Sequence, residues 1–154
     1  MKNIYILFLL GVVVTTLSCE DGNKNYTEEF DSVYYYLKEG VNEFDFYSVN
    51  SAKVQTITVG RGGHGLNGVS TINLVPFTQA EMDEYNATID GDYKLLAPEY
   101  YDMPATVAFE DGVEYRNVDV VFKGNMSELA KTGEYMLPIR LEADNGTVND
   151  NKNI

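Results

Sequence analysis

The chain has 154 residues, with 24 acidic and 11 basic side chains and a formal net charge of −13; that length allows one domain, or at most one domain plus a tail. The acidity argues against nucleic acid, because phosphate binding needs clustered Lys and Arg. One Cys and one His leave no material for a disulfide framework, a Cys-rich metal site or a Cys–His catalytic pair inside a fold, so no metal and no cofactor are expected.

The first eighteen residues read as an export signal. Lys2 supplies positive charge, Ile4 to Val14 is apolar apart from Gly11, and small residues lead to Ser18 and Cys19. The apolar run is shorter than the roughly 20 residues a membrane-spanning helix needs. Ser18-Cys19 after such a run resembles a bacterial lipobox, although Thr16 stands where that pattern favours Leu. An exported chain with a single Cys must leave it free, pair it with another chain or modify it, and lipidation accounts for both the position and the isolation of Cys19. Membrane attachment through this lipid is expected. Glu20 and Asp21 then resemble the surface-export signal of Bacteroidetes lipoproteins, which implies an outer-membrane, cell-surface location. Residues 19–30 are polar and acidic and read as a flexible linker.

From Asp31 to Ile154 the dominant hydrophobic period is two, the strand period. Val33, Tyr35 and Leu37 alternate with Tyr34 and Tyr36. Phe44 to Val49 is a further strand candidate with apolar residues on both faces. Ile57 pairs with Val59 and Ile72 with Leu74. Ala105, Val107 and Phe109 alternate with Thr106 and Ala108, as do Val118, Val120 and Phe122 with their neighbours. Tyr135, Leu137, Ile139 and Leu141 extend across Pro138, which suggests an edge strand or bulge. Asp111-Gly112 between two such runs predicts a hairpin. Thr147-Val148 begins a last strand, and with few residues left the expectation is an open sheet edge that a neighbour or further chain covers. Thr78-Gln79-Ala80-Glu81 is a capping box opening a helix that ends near Asn86; Asn125 to Lys131 forms a second short helical turn, closed by Gly133. The predicted fold is an all-β, antiparallel β-sandwich with one or two short helices.

Three stretches invite a chemical reading. Gly60-Arg61-Gly62-Gly63-His64-Gly65 formally matches a dinucleotide fingerprint, but that chemistry needs a helix next, whose amides hold the pyrophosphate. A further strand follows instead, so these residues read as a mobile hairpin loop, and His64 has no second ligand or base-orienting partner. Asp111-Gly112-Val113-Glu114 superficially resembles the acidic active-site strand of family-18 glycoside hydrolases. Tyr115, Arg116 and Asn117 follow where that motif carries further acids, and a barrel enzyme needs about 250 residues. The twelve tyrosines offer apolar rings and hydroxyls suited to sugars; the simpler reading places them in the sandwich core and rim, and the sequence nominates no particular one as a glycan site.

Four short stretches carry a family resemblance: Asp31-Ser32-Val33-Tyr34, Glu84-Tyr85-Asn86, Tyr93 to Tyr101 (Tyr-Lys-Leu-Leu-Ala-Pro-Glu-Tyr-Tyr) and Tyr135-Met136-Leu137-Pro138-Ile139. Together, over about residues 31–152, they resemble the N-terminal domain of unknown function of Bacteroidetes surface lipoproteins. Some of those proteins carry a family-18 endo-β-N-acetylglucosaminidase module behind it, others lectin-like modules. The resemblance implies an immunoglobulin-like sandwich and a place in glycan-utilisation systems, with glycan or neighbouring proteins of such systems as partners. It brings no catalytic residues to this chain. The expected function is a non-catalytic cell-surface module, a spacer or glycan-binding accessory, and not an enzyme. The alternative is the N-terminal fragment of a family-18 endoglycosidase whose catalytic part is absent from these 154 residues.

Overall fold

A computed structural model describes residues 32–43, 52–63, 66 and 68–149. Cys19, Glu20, Asp21, His64 and the strand candidate Phe44 to Val49 lie outside the described residues. The described residues all fall within one compact unit, Asp31–Ile154. No helix among them is long and apolar enough to cross a membrane.

The elements run β1 (Val33–Tyr36), β2 (Lys53–Gly62), β3 (Ser70–Pro76), α1 (Gln79–Ile89), β4 (Lys94–Leu95), a 3-10 turn (Pro98–Tyr100), β5 (Tyr101–Asp102), β6 (Thr106–Phe109), β7 (Tyr115–Phe122), α2 (Met126–Ala130), β8 (Tyr135–Met136), β9 (Ile139–Ala143) and β10 (Thr147–Val148). They form a five-stranded sheet of order β10-β1-β2-β7-β5, a three-stranded sheet β6-β3-β9 and a parallel pair β4-β8. The ladders are antiparallel except β4-β8 and β1-β10. The all-β sandwich expected from the period-two pattern is therefore the architecture found.

Alternation explains the core. Tyr34, Tyr36, Val59 and Val118 from the larger sheet meet Ile72, Leu74, Val107, Phe109 and Leu141 from the smaller one. The Tyr34 and Phe109 rings are tilted with centroids 5.8 Å apart, a geometry aromatic pairs favour. A second cluster gathers Val120 and Phe122 with Leu96 and Met126 beneath α2.

Three local expectations are corrected. The Asp111-Gly112 turn does not close a hairpin: β6 pairs with β3, whereas β7 pairs with β2 and β5. The turn, closed by Val113 N–H to Glu110 O at 3.1 Å with Gly112 at φ +71, carries the chain from the smaller sheet to the larger one. Tyr135 to Leu141 is likewise not one strand. Pro138 cannot donate to a ladder, and the chain changes sheets there: β8 pairs with β4 and β9 with β3, while the Pro138 carbonyl accepts from Phe77 N–H at 3.0 Å. The third concerns Gly60-Arg61-Gly62, which is not a loop but the end of β2, paired with β1 and, through Gly60, with β7.

Arg61 is 1% exposed, and among the described residues no carboxylate pairs with it. Its Nη2 donates to Leu66 O (2.6 Å) and Glu110 O (2.9 Å), its Nη1 to Gly68 O (3.0 Å) and Ser70 Oγ (3.2 Å), and its Nε to Val113 O (3.2 Å). The guanidinium carbon also lies 5.5 Å from the Phe109 ring centroid. The two segments that cross between the sheets at this end, β2 to β3 and β6 to β7, thus deliver their carbonyls to one planar fork. Gly112 N–H to Leu66 O (2.9 Å) and Gly68 N–H to Asp111 Oδ1 (2.6 Å) join the same two segments directly.

The helix α1 opens as expected. Thr78 N–H donates to Glu81 Oε2 (2.7 Å) and Glu81 N–H to Thr78 Oγ1 (3.4 Å). It runs one turn past Asn86, to Asp90 in the left-handed conformation at φ +53. Asn86 does not stop it, because its side chain is committed elsewhere. Nδ2 donates to Tyr93 O (2.8 Å) and Oδ1 accepts from Tyr93 N–H (3.0 Å), so an amide takes the place of a strand partner. Met82 is the helix's only buried residue, worth about 2 kcal/mol; Arg140 of β9, bonded to Glu81 and to Glu142 (2.8 Å), adds a polar tie.

Two predictions follow from these ties. Replacing Arg61 by Met removes five hydrogen bonds and takes the donor from the Gly68 and Val113 carbonyls, which should cost about 3 kcal/mol of unfolding free energy in urea. Lys at this position should recover only part, because a point ammonium cannot reach both crossing segments as a five-donor fork does. An Arg61→Met variant as stable as the parent would show the clamp to be dispensable. The Thr78 bonds, then Arg140, hold the Glu81 carboxyl below its ordinary 4.5. A depressed folded pKa stabilises above the unfolded value and loses that stabilisation as pH falls through the folded one. The melting temperature of Glu81→Ala should therefore trail the parent at pH 7, and the gap should close on acidification to about pH 2; a pH-independent gap would refute the assignment.

Candidate functional site

Because β-strand side chains alternate, an inward Arg61 turns Gly60 and Gly62 outward. Gly60 faces Tyr35 on β1 and Tyr115 on β7 in the ladder register. The Tyr35 ring leans over β2: a Cβ on Gly60 would lie 2.6 Å from Tyr35 Cζ and 2.7 Å from Cε2, and one on Gly62 would lie 3.4 Å from Cε1. Only glycine at position 60 leaves room for the ring. Tyr35 is partly buried by this, and Tyr115 is 47% exposed. Burial first, then the neighbouring Tyr115 hydroxyl and the Glu114 carboxylate, raise the Tyr35 pKa.

Along the same outward face the next rows are polar. Thr58 Oγ1 donates to Asn117 Oδ1 (2.8 Å) and Thr56 Oγ1 to Asp119 Oδ1 (2.6 Å), each pair directly opposed across β2 and β7. With Asn117 Oδ1 accepting, the amide NH2 keeps its donors for solvent or a ligand. Leu37, 56% exposed, follows Tyr35 by two residues, its N–H extending the ladder to Thr58 O at 3.0 Å. The face therefore combines the Tyr35 ring on glycine backbone and the neighbouring Tyr115 with a row of hydroxyl, amide and carboxylate groups.

Among the described residues the other tyrosines are buried or half-buried. Tyr34 and Tyr36 are buried. The Tyr36 hydroxyl has no hydrogen-bond partner among the described residues, and burial pushes its pKa up. Tyr100 packs over Gly124, 3.2 Å from where a Cβ would stand. Asp111 Oδ1 accepts from the Gly68 amide. Among the described residues no group of three or more His, Cys, Asp and Glu is placed to hold a metal. Reading the sequence alone missed Tyr35 and Tyr115 as a pair. The usable signal was the alternation of Gly60 and Gly62 around Arg61 opposite a Tyr triplet, a pattern that suggests aromatic cover of a glycine strand.

A two-sheet β domain with a tyrosine-bearing outer face is the class these observations define. A family model described as "-like, N-terminal domain" matches residues 20–148, and the chain belongs to that family of N-terminal domains. No curated protein matches the chain. Among solved structures, it is similar to a candidate carbohydrate-binding protein from Bacteroides ovatus, with TM-score 0.59, 18% identity and coverage of 78% of this chain and 34% of that one. It is also similar to a Bacteroides ovatus protein of unknown function (TM-score 0.59, 15% identity, 79% of this chain, 43% of that one). A third is a multidomain protein including DUF1735 from the same organism (TM-score 0.57, 12% identity, 76% and 43%). The chain thus spans between a third and a half of the length of these structures. Family and fold together bear out the resemblance to a Bacteroidetes N-terminal domain of unknown function.

Packing of Tyr35 on Gly60 is testable by a double-mutant cycle. Gly60→Ala should cost about 1–3 kcal/mol through overpacking. In a Tyr35→Ala background the same change should become neutral or stabilising, because only the backbone-entropy gain of Ala remains. Additive effects would mean that ring and glycine do not touch in solution.

Proposed function

We propose that the chain is a non-catalytic module of a cell-surface lipoprotein, a glycan-binding accessory of a glycan-utilisation system. It is tethered to the membrane by lipid on Cys19 and sent to the outer face of the outer membrane by Glu20 and Asp21. The observation that carries the binding role is the outward face of the larger sheet, where Tyr35 and Tyr115 stand beside Thr58 and Asn117. Such amphipathic rings suit sugars, whose C–H faces are apolar and whose hydroxyls need partners. The likeness to a candidate carbohydrate-binding protein supports the same reading. The multi-chain anchor expected at Cys19, at about 0.8 kcal/mol per buried methylene, would hold durably. A second reading makes this domain the N-terminal module of a family-18 endoglycosidase. It is favoured by the N-terminal character of the family and by the 34–43% share of the matched structures; under it a catalytic module is encoded in frame after Ile154.

In the native host, Cys19→Ala should move the protein from the membrane to the soluble fraction, and external protease should digest the parent on intact cells. The purified chain should retard in gels containing host or dietary glycan without releasing reducing ends. Membrane retention of Cys19→Ala would overturn the anchor, and turnover of any glycan would overturn the non-enzyme assignment.

A further inference from the structure

The geometry points to a defined site: the Tyr35–Gly60–Tyr115 row and the adjoining Thr58–Asn117 and Thr56–Asp119 rows bind an uncharged glycan chain lying along β2 and β7. This rests on the accessory reading above and adds its location and its ligand class. The three rows are consecutive outward positions of β2 paired with β7, so they extend roughly 14 Å along the strands, the length of a short oligosaccharide. The aromatic end supplies an apolar surface without a side chain beneath it, because Gly60 and Gly62 let the Tyr35 ring lean onto backbone. The polar end supplies the Asn117 amide donors and the Asp119 carboxylate, each already oriented by a threonine hydroxyl. Side chains held in place before binding lose less entropy on binding.

Charge selects the ligand class. The three rows contain no Lys or Arg, and Arg61, though central in β2, points inward to the carbonyls that hold it. The acids are Asp119 within the rows and Glu114 beside Tyr115, on a chain of net charge −13. A sulfated or uronic-acid polymer would meet like charge with no cation within these rows to offset it. A neutral polyhydroxylated chain meets carboxylate and carbonyl acceptors, amide donors and two rings.

The test uses the whole chain in affinity gels and calorimetry against two sets of probes. The neutral set holds mannan, β-glucan and galactan with their oligosaccharides; the anionic set holds polygalacturonate and chondroitin sulfate. Binding to a neutral probe is expected, weakened about tenfold by Tyr115→Ala. That residue is exposed enough for the fold to survive, which circular dichroism verifies. Asn117→Ala should also weaken binding, and Lys131→Ala on α2 should not. Tyr115→Phe, which keeps the ring, should retain most of the affinity. Neutral-glycan binding untouched by Tyr115→Ala and Asn117→Ala would place the site elsewhere while leaving the accessory reading intact. Preference for the anionic probes would overturn the ligand class. Binding to none would remove the accessory reading and this site with it.

Discussion

The sandwich is closed at one end by a single guanidinium. Burying Arg61 without a counter-ion carries a desolvation cost that a carboxylate would ordinarily offset. Here five neutral acceptors and the Phe109 ring surround it instead. The exchange works because the two crossing segments leave β geometry at that point: the Leu66 and Glu110 carbonyls keep one backbone donor each, and the guanidinium supplies the donors for Gly68, Ser70 and Val113. The cation needs acceptors, and the crossings need a donor that reaches both. A planar fork with five N–H groups satisfies the two requirements together.

This clamp also sets what lies on the opposite face. With period-two alternation, fixing Arg61 inward fixes Val59 inward and Gly60 and Gly62 outward. A slip of one residue in β2 would bury a glycine where the clamp belongs and drive the guanidinium under Tyr35. Register is therefore specified twice, by the carbonyl cage within and by the ring that needs bare backbone without. The outer aromatic row is accordingly a rigid feature of the larger sheet's centre, since β2 is flanked by β1 and β7.

Much of this was legible in the sequence, and the failures have definite causes. Val107/Phe109 and Val118/Val120/Phe122 were read on one face each and are buried there, because burial on one face leaves a period-two imprint. Thr78 to Glu81 announced the helix start for a local reason, a cap that spans only three residues. The stop at Asn86 was misread because a residue good at ending helices here pairs with Tyr93 across a loop. Asp111-Gly112 was misread because the same tight turn serves a hairpin and a crossing between sheets; which one results depends on the partners of β6 and β7, distant in sequence. Arg61 was hidden because composition treats an arginine between glycines as solvated. The outer site was hidden for the same non-local reason, Tyr35 and Tyr115 becoming neighbours only through the β1-β2-β7 register.

Three of the four stretches that carry the family resemblance touch one another, and the first is fastened to the end of the described chain. Asn86 brackets Tyr93. Lys94 and Leu95 pair with Tyr135 and Met136, and Tyr101 pairs with Phe122. Val33 and Tyr34 pair with Thr147 and Val148 through Thr147 N–H to Ser32 O and Asn149 N–H to Tyr34 O, both 2.9 Å. The recognisable residues are thus those that fasten the short strands and the helix to the sandwich. Tyr35, Thr58, Tyr115, Asn117 and Asp119 lie outside them, on a face that the fastening leaves untouched. A resemblance built on such residues specifies a scaffold, and what the scaffold binds has to be argued from the face itself.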